Sequence, residues 1–233
     1  MRSRSSVPGD LERLYELLDE LEDFIGGKKY FKEVEQVTNR PRSGVYFVFE
    51  TDEMRTTNPG AMRITRVGTH AIDGGGRTLL DRLEDHWDSP GRSCSRRSSI
   101  MRNHIGRALI EKSRGQLSAP SWGRRGELSK AEHEEERKVE TQVTEYIGNM
   151  QLIWVAIDEG PSRSLIERSS IGLLSNCFEP IDIPSRDWLG THSGRAEIRR
   201  SGLWNVHHVR HEYHSEFLGH FENCVRRMTS RST

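Results

Sequence analysis

The sequence predicts an α+β fold in which a small three-stranded sheet is flanked by helices. Two β-branched and aromatic runs, 44–49 and 62–68, flank a turn containing Asn58-Pro59-Gly60, the pattern of an antiparallel hairpin. A third apolar run at 150–157, with Leu152, Ile153, Trp154 and Val155, reads as a buried strand. Between and around these runs, apolar residues recur at helical spacing.

In chain order, Asp10 can cap a helix whose core stripe is Leu11, Leu14, Leu17, Leu18, Leu21, Phe24 and Ile25, and Gly26-Gly27 ends it. Its other face is acidic and is expected to lie away from nucleic acid. The hairpin follows, then the flexible loop Asp73-Gly74-Gly75-Gly76. Leu79, Leu80, Leu83 and Trp87 mark a short amphipathic helix that carries Arg82 and His86 at i, i+4 on one face. Ser89-Pro90-Gly91 breaks it, a serine-rich basic loop follows, and Ile100, Ile105, Ala108, Leu109 and Ile110 mark the next helix. Ser129 and Glu132 fit a capping box that opens a charged helix carrying Val139, Val143 and Ile147. After the third strand, Pro161-Ser162 starts a helix with Leu165, Ile166, Glu167, Leu173 and Leu174, and Asn176 lies at its end. Loop signals at Pro184-Ser185 and Trp188-Leu189-Gly190 lead to a last helix near 217–228.

Composition bounds the function. The chain has 233 residues, 33% hydrophobic and 30% charged, and a mean hydropathy of −0.75. A modest core and no membrane span are therefore expected. Lys and Arg balance Asp and Glu at 35 each, which argues against a uniformly basic coat but leaves room for a local basic face. Such a face is suggested between Arg92 and Arg125, where Arg92, Arg96, Arg97, Arg102, Arg107, Lys112, Arg114, Arg124 and Arg125 are opposed only by Glu111. Arginine over lysine favours phosphate contact and a DNA partner. Trp122 could stack on a base, with local packing as the default reading. Cys94, Cys177 and Cys224 form no metal or disulfide pattern, and with no signal-like N-terminus a reducing, cytoplasmic setting is expected.

The order of Gly44-Val45-Tyr46, Arg66-Val67-Gly68, Arg82 with His86, Glu167 and Asn176 resembles the active-site order of the GIY-YIG nuclease superfamily over roughly 41–178. The resemblance implies a small three-stranded antiparallel sheet flanked by helices. It also implies a catalytic core at 41–178 with a basic insertion at about 88–128, a helical addition at 1–40 and a C-terminal addition at 179–233. The implied activity is metal-dependent DNA hydrolysis, with a restriction or defence role as the expected setting. In that scheme Tyr46 activates water, Arg82 forks onto phosphate oxygens, His86 relays a proton or binds phosphate, and Glu167 holds Mg²⁺ or Mn²⁺. His70 sits at the pocket edge, and Asn176 positions the chain or touches phosphate. Arg66 stands where the family usually carries a tyrosine, and phosphate contact is its expected role. The string Tyr146-Ile147-Gly148 lies on a charged helix and is read as a decoy.

Two other classes remain open on these residues: a DNA-binding module of the same fold without turnover, and a zinc-stabilised interaction protein built on His207, His211 and His214. His207 and His211 would share a helical face, but the glutamate of an HExxH site is lacking. A single active site cuts one strand at a time, so double-strand cleavage would imply a homodimer or sequential nicking.

Overall fold

In the computed structural model, which describes residues 7–37, 41–70, 78–87, 99–124 and 126–230, the hairpin is the centre of the molecule. Strand β2 (Gly44–Met54) pairs with β3 (Met62–Thr69) on one side and β4 (Gln151–Ala156) on the other, both antiparallel. A two-residue strand, β1 (Lys29–Tyr30), adds to β4, giving the order β1-β4-β2-β3. The expected three strands are therefore present with a short fourth, whose length is too small to leave a periodic signal.

Seven helices complete the described fold: α1 (Val7–Ile25), α2 (Leu79–His86), α3 (Ile100–Lys112), α4 (Lys130–Gly148), α5 (Gly160–Leu174), α6 (Ala196–Ser201) and α7 (Glu216–Thr229). Their ends follow local chemistry. Gly26 and Gly27 adopt positive φ after α1, where a residue without Cβ is unstrained. Thr78 and Ser129 form capping boxes with Asp81 and Glu132, as the second pair's spacing predicts. Among the described residues no helix is long and apolar enough to cross a membrane.

Alternation along the strands sends side chains to two faces. Val45, Phe47, Phe49, Val67, Ile153 and Val155 pack against the stripe of α1 and against α5 and α7. Tyr46, Val48, Leu152 and Trp154 pack against α2, α3, α4 and Trp188, Leu189, Ile198 and Trp204. The segments read as additions at 1–40 and 179–233 thus share both cores with 41–178.

Buried carboxylates tie the C-terminal segment to β2. Glu50 accepts hydrogen bonds from Trp188 Nε1 (3.0 Å), Trp204 Nε1 (2.8 Å) and the Tyr146 hydroxyl. Glu53 pairs with buried Arg63, which donates to the Gly202 carbonyl at 2.6 Å, and it also accepts from Ser185. Arg55 bridges Asp182 and Glu12. Every one of these charges gains partners, which buried charge requires.

The outer edge of β3 is covered as well. Trp204 N–H donates to Thr65 O at 2.7 Å, and the Asn205 amide accepts from Val67 N–H (3.1 Å) and donates to Val67 O (2.8 Å). An Asn205→Ala protein leaves both Val67 groups without these partners and is expected to lose about 2 kcal/mol, read as a lower urea midpoint at unchanged slope.

Candidate active site

Tyr46 lies opposite Gly68 across the β2–β3 ladder. A Cβ at Gly68 would sit 2.4 Å from Tyr46 Oη and 2.5 Å from its Cζ. The phenol therefore lies across the glycine, and only a residue without a side chain leaves that space. From this position Tyr46 Oη meets His86 Nε2 at 2.6 Å. His86 comes from the last turn of α2 and is fully buried, as is Tyr46.

The other ring nitrogen, His86 Nδ1, meets Ser99 Oγ at 2.8 Å. Ser99 is the N-cap of α3 and accepts from Arg102 N–H at 3.2 Å. A buried hydroxyl proton needs an acceptor, and the one the Ser99 contacts offer is His86 Nδ1. His86 then carries its proton on Nε2 and donates it to Tyr46 Oη. Burial first, and then the cations Arg66, Arg82 and Arg102, hold His86 well below the ordinary imidazole range, so it is neutral.

Arg66 and Arg82 link this pair to Glu167. Arg66 lies opposite Val48, two residues before Gly68 and on the same sheet face. Its side chain is buried, donates to Trp204 O at 3.2 Å, and has no partner for Nε among the described residues. Glu167, half-buried on α5, accepts from the backbone N–H of Thr69; burial raises its pKa, partly offset by Arg66, that hydrogen bond and Arg82. Tyr46, Arg66, Arg82, His86 and Glu167 thus form one electrostatic group. A lone carboxylate oxygen donor of this kind suits a hard divalent cation that keeps most of its waters.

The remaining expected residues lie elsewhere or serve differently. His70 is buried beside Arg163, and its ring bonds the Gly44 backbone; burial and Arg163 lower its pKa. The Asn176 side chain bonds only backbone, donating to Asp182 O (2.9 Å) and Ser201 O (3.1 Å) and accepting from Ile181 N–H (3.0 Å). Arg102 is a correction: expected at DNA, it is fully buried. Its guanidinium donates to His86 O (3.0 Å), Glu140 (2.5 Å) and Thr144 (2.8 Å), fastening the end of α2 to α4. Arg107 is exposed and reaches Asn103 and the Trp122 carbonyl, and exposed Arg124 pairs with Glu132. Arg92, Cys94, Arg96, Arg97 and Arg125 lie outside the described residues.

Trp122 is buried, its Nε1 donates to Asn103 O at 3.1 Å, and its ring occupies the space that Gly106 leaves free. Tyr146 and Ile147 belong to the core of α4 and to the Glu50 cluster. The histidine string is also corrected. Residues 205–214 form no helix, His208 and His211 meet at 3.3 Å between Nδ1 atoms, and no group of three or more His, Cys, Asp or Glu able to hold a metal occurs among the described residues.

Sequence reading missed Ser99 and the positioning role of Arg102. Serine directly before an apolar helical run is an N-cap pattern, which could have found Ser99. In comparison with known proteins, residues 5–231 match the family described as the GIY-YIG domain. No curated protein and no solved structure matches the chain.

Two expectations follow from the geometry. Gly68→Ala forces Tyr46 out of its seat and is expected to cost about 1–3 kcal/mol, measured by chemical denaturation. Buried His86 and half-buried His104 also set a pH dependence. His86 is held low as above, and His104 is lowered to about 4 by burial and by Arg195, Arg66 and Arg107. Below the ordinary value of about 6.5 the unfolded chain binds protons that the folded chain does not. Their contribution is therefore complete above about pH 7 and is lost as the pH falls. Melting temperatures between pH 7 and 4.5 should drop, and His104→Gln should flatten part of that drop.

Proposed function

The chain belongs to the GIY-YIG family and has a nuclease-type fold, and from that premise we propose that it is a divalent-metal-dependent DNA endonuclease. The observation that carries the reading is the 2.6 Å pairing of Tyr46 Oη with His86 Nε2 beside Arg66, Arg82 and Glu167.

Hydrolysis of a phosphodiester needs an activated water, charge neutralisation on the pentacovalent phosphate and help for the departing oxygen. Tyr46, once its own phenol proton has passed to solvent, takes the proton of the attacking water and returns to the neutral phenol. His86 supports the negative charge on Oη before that transfer by donating Nε2–H, and stays neutral because it is buried and three arginines face it. Arg66 and Arg82 bind the non-bridging oxygens, a task suited to planar guanidinium forks. Glu167 would hold Mg²⁺ or Mn²⁺, which would supply positive charge to the scissile phosphate and the leaving oxygen. Ser99 and Arg102 act through His86, by fixing its tautomer and the end of α2. Since Tyr46 and His86 have no exposed surface, turnover requires the site to open to water when DNA seats.

That same burial favours a second reading, a DNA-binding module of this fold without turnover, in which Arg66 replaces a catalytic tyrosine and Tyr46 stays sealed on His86. Supercoiled plasmid incubated with Mg²⁺ or Mn²⁺ separates the two. The endonuclease reading expects nicked or linear product, abolished by EDTA and by Glu167→Ala and reduced roughly 10²–10⁴-fold by Tyr46→Phe. Retarded but intact plasmid would transfer the assignment to the binding module.

A further inference from the structure

The sequence analysis expects the DNA contacts between Arg92 and Arg125, yet Arg107 of that run gathers beside Arg66 with arginines from elsewhere in the chain. α3 and α6 both pack on the 3-10 turn Leu189–His192. The chain after α6 is then fastened to the β3 edge through Trp204 and Asn205. Together these contacts bring α3, the start of α6 and the 204–210 segment to one side of β3.

The charges there are strongly one-sided. Arg195, Arg66 and Arg107 all act on His104 of α3, whose Nδ1 has no hydrogen-bond partner among the described residues. The carboxylate facing them is Glu197, 3.5 Å from Arg195 and also under the influence of Arg210 and Arg200. Arg107, Arg195, Arg200 and Arg210 are exposed. The like charges gathered around His104 and Glu197 repel one another in the free protein, and an anion laid across them relieves that repulsion. Arg66, the buried innermost member, also acts on His86 and Glu167, so the arginine group adjoins the candidate active site.

We propose that Arg107, Arg195, Arg200 and Arg210 form a track that grips the phosphate backbone of duplex DNA beside the phosphate held at Arg66. The assignment of DNA as the polyanion rests on the nuclease reading above. Guanidinium forks spaced over a surface suit a repeating line of phosphates, and contacts of this kind position the duplex without reading its sequence. Residues from three separate stretches of chain build the track, so no local run of the sequence displays it.

Fluorescence anisotropy with a labelled mixed-sequence duplex in EDTA, titrated between 50 and 200 mM salt, tests the track without cleavage. The proteins compared are wild type, Arg107→Ala, the Arg195→Ala/Arg210→Ala double variant, and Arg137→Ala, a control on the exposed face of α4 paired with Glu134. Thermal melts confirm that each is folded. The expected result is weaker binding for the track variants, with the slope of log affinity against log salt reduced by about one for Arg107→Ala and about two for the double variant. The control should match wild type. Unchanged affinity and slope in folded track variants, or no duplex binding by wild type, overturns the track. Plasmid nicking by wild type is scored in parallel. Nicking with an unchanged slope rejects the track alone, and a reduced slope without nicking rejects the nuclease reading alone.

Discussion

The close approach of Tyr46 to Gly68 is the contact on which the rest of the site depends. A phenol lying across a bare backbone is held by the strand ladder itself, so its hydroxyl position is as well defined as the β2–β3 register. The rest of the group converges on that fixed point. The C-terminal turn of α2 brings His86, the N-cap of α3 brings Ser99, and Arg102 joins both to α4. Because Ser99 satisfies one imidazole nitrogen, the other is directed at the tyrosine. The geometry is preorganised by covalent connectivity and packing before any substrate is present.

The hairpin, α1, α4 and the third strand were legible because their signals are local: alternation, a capping box, a paired glycine stop. The covering of the sheet by 179–205 was not. No local pattern in the sequence marks Glu50, Glu53 and Arg55, or Trp188 and Trp204, as partners. Their meaning appears only as pairs, when both indoles donate to Glu50 and Arg63 closes on Glu53. A buried charge and its partner more than a hundred positions away leave no joint mark on a linear sequence.

The candidate site divides in the same way. Tyr46, Gly68, Arg82, His86 and Glu167 were legible through order and helical spacing; the four with polar side chains fall into one electrostatic group with Arg66, and Gly68 seats the tyrosine. Arg102 was misread because an arginine in a basic stretch looks solvated until Glu140 and Thr144, on another helix, are seen to enclose it. Asn176 was legible just past the end of α5, but its amide is engaged by the backbone of 181–182 and 201. Burial, rather than residue type, separates the arginines that shape this pocket from those that face solvent.

The dressing of β3 also limits how two copies of the chain could meet. Thr65 O, both polar groups of Val67 and Thr69 N–H are engaged by Trp204, Asn205 and Glu167, and the opposite rim of the sheet is a strand of two residues. The β3 border therefore lacks the run of open peptide groups that strand addition between subunits needs. The carboxylate that would carry the metal is itself the last clasp on that border, so a continuous intersubunit sheet on this side would have to dislodge it. If two subunits pair to cut both strands, a contact made away from the β3 edge leaves each Glu167 self-contained.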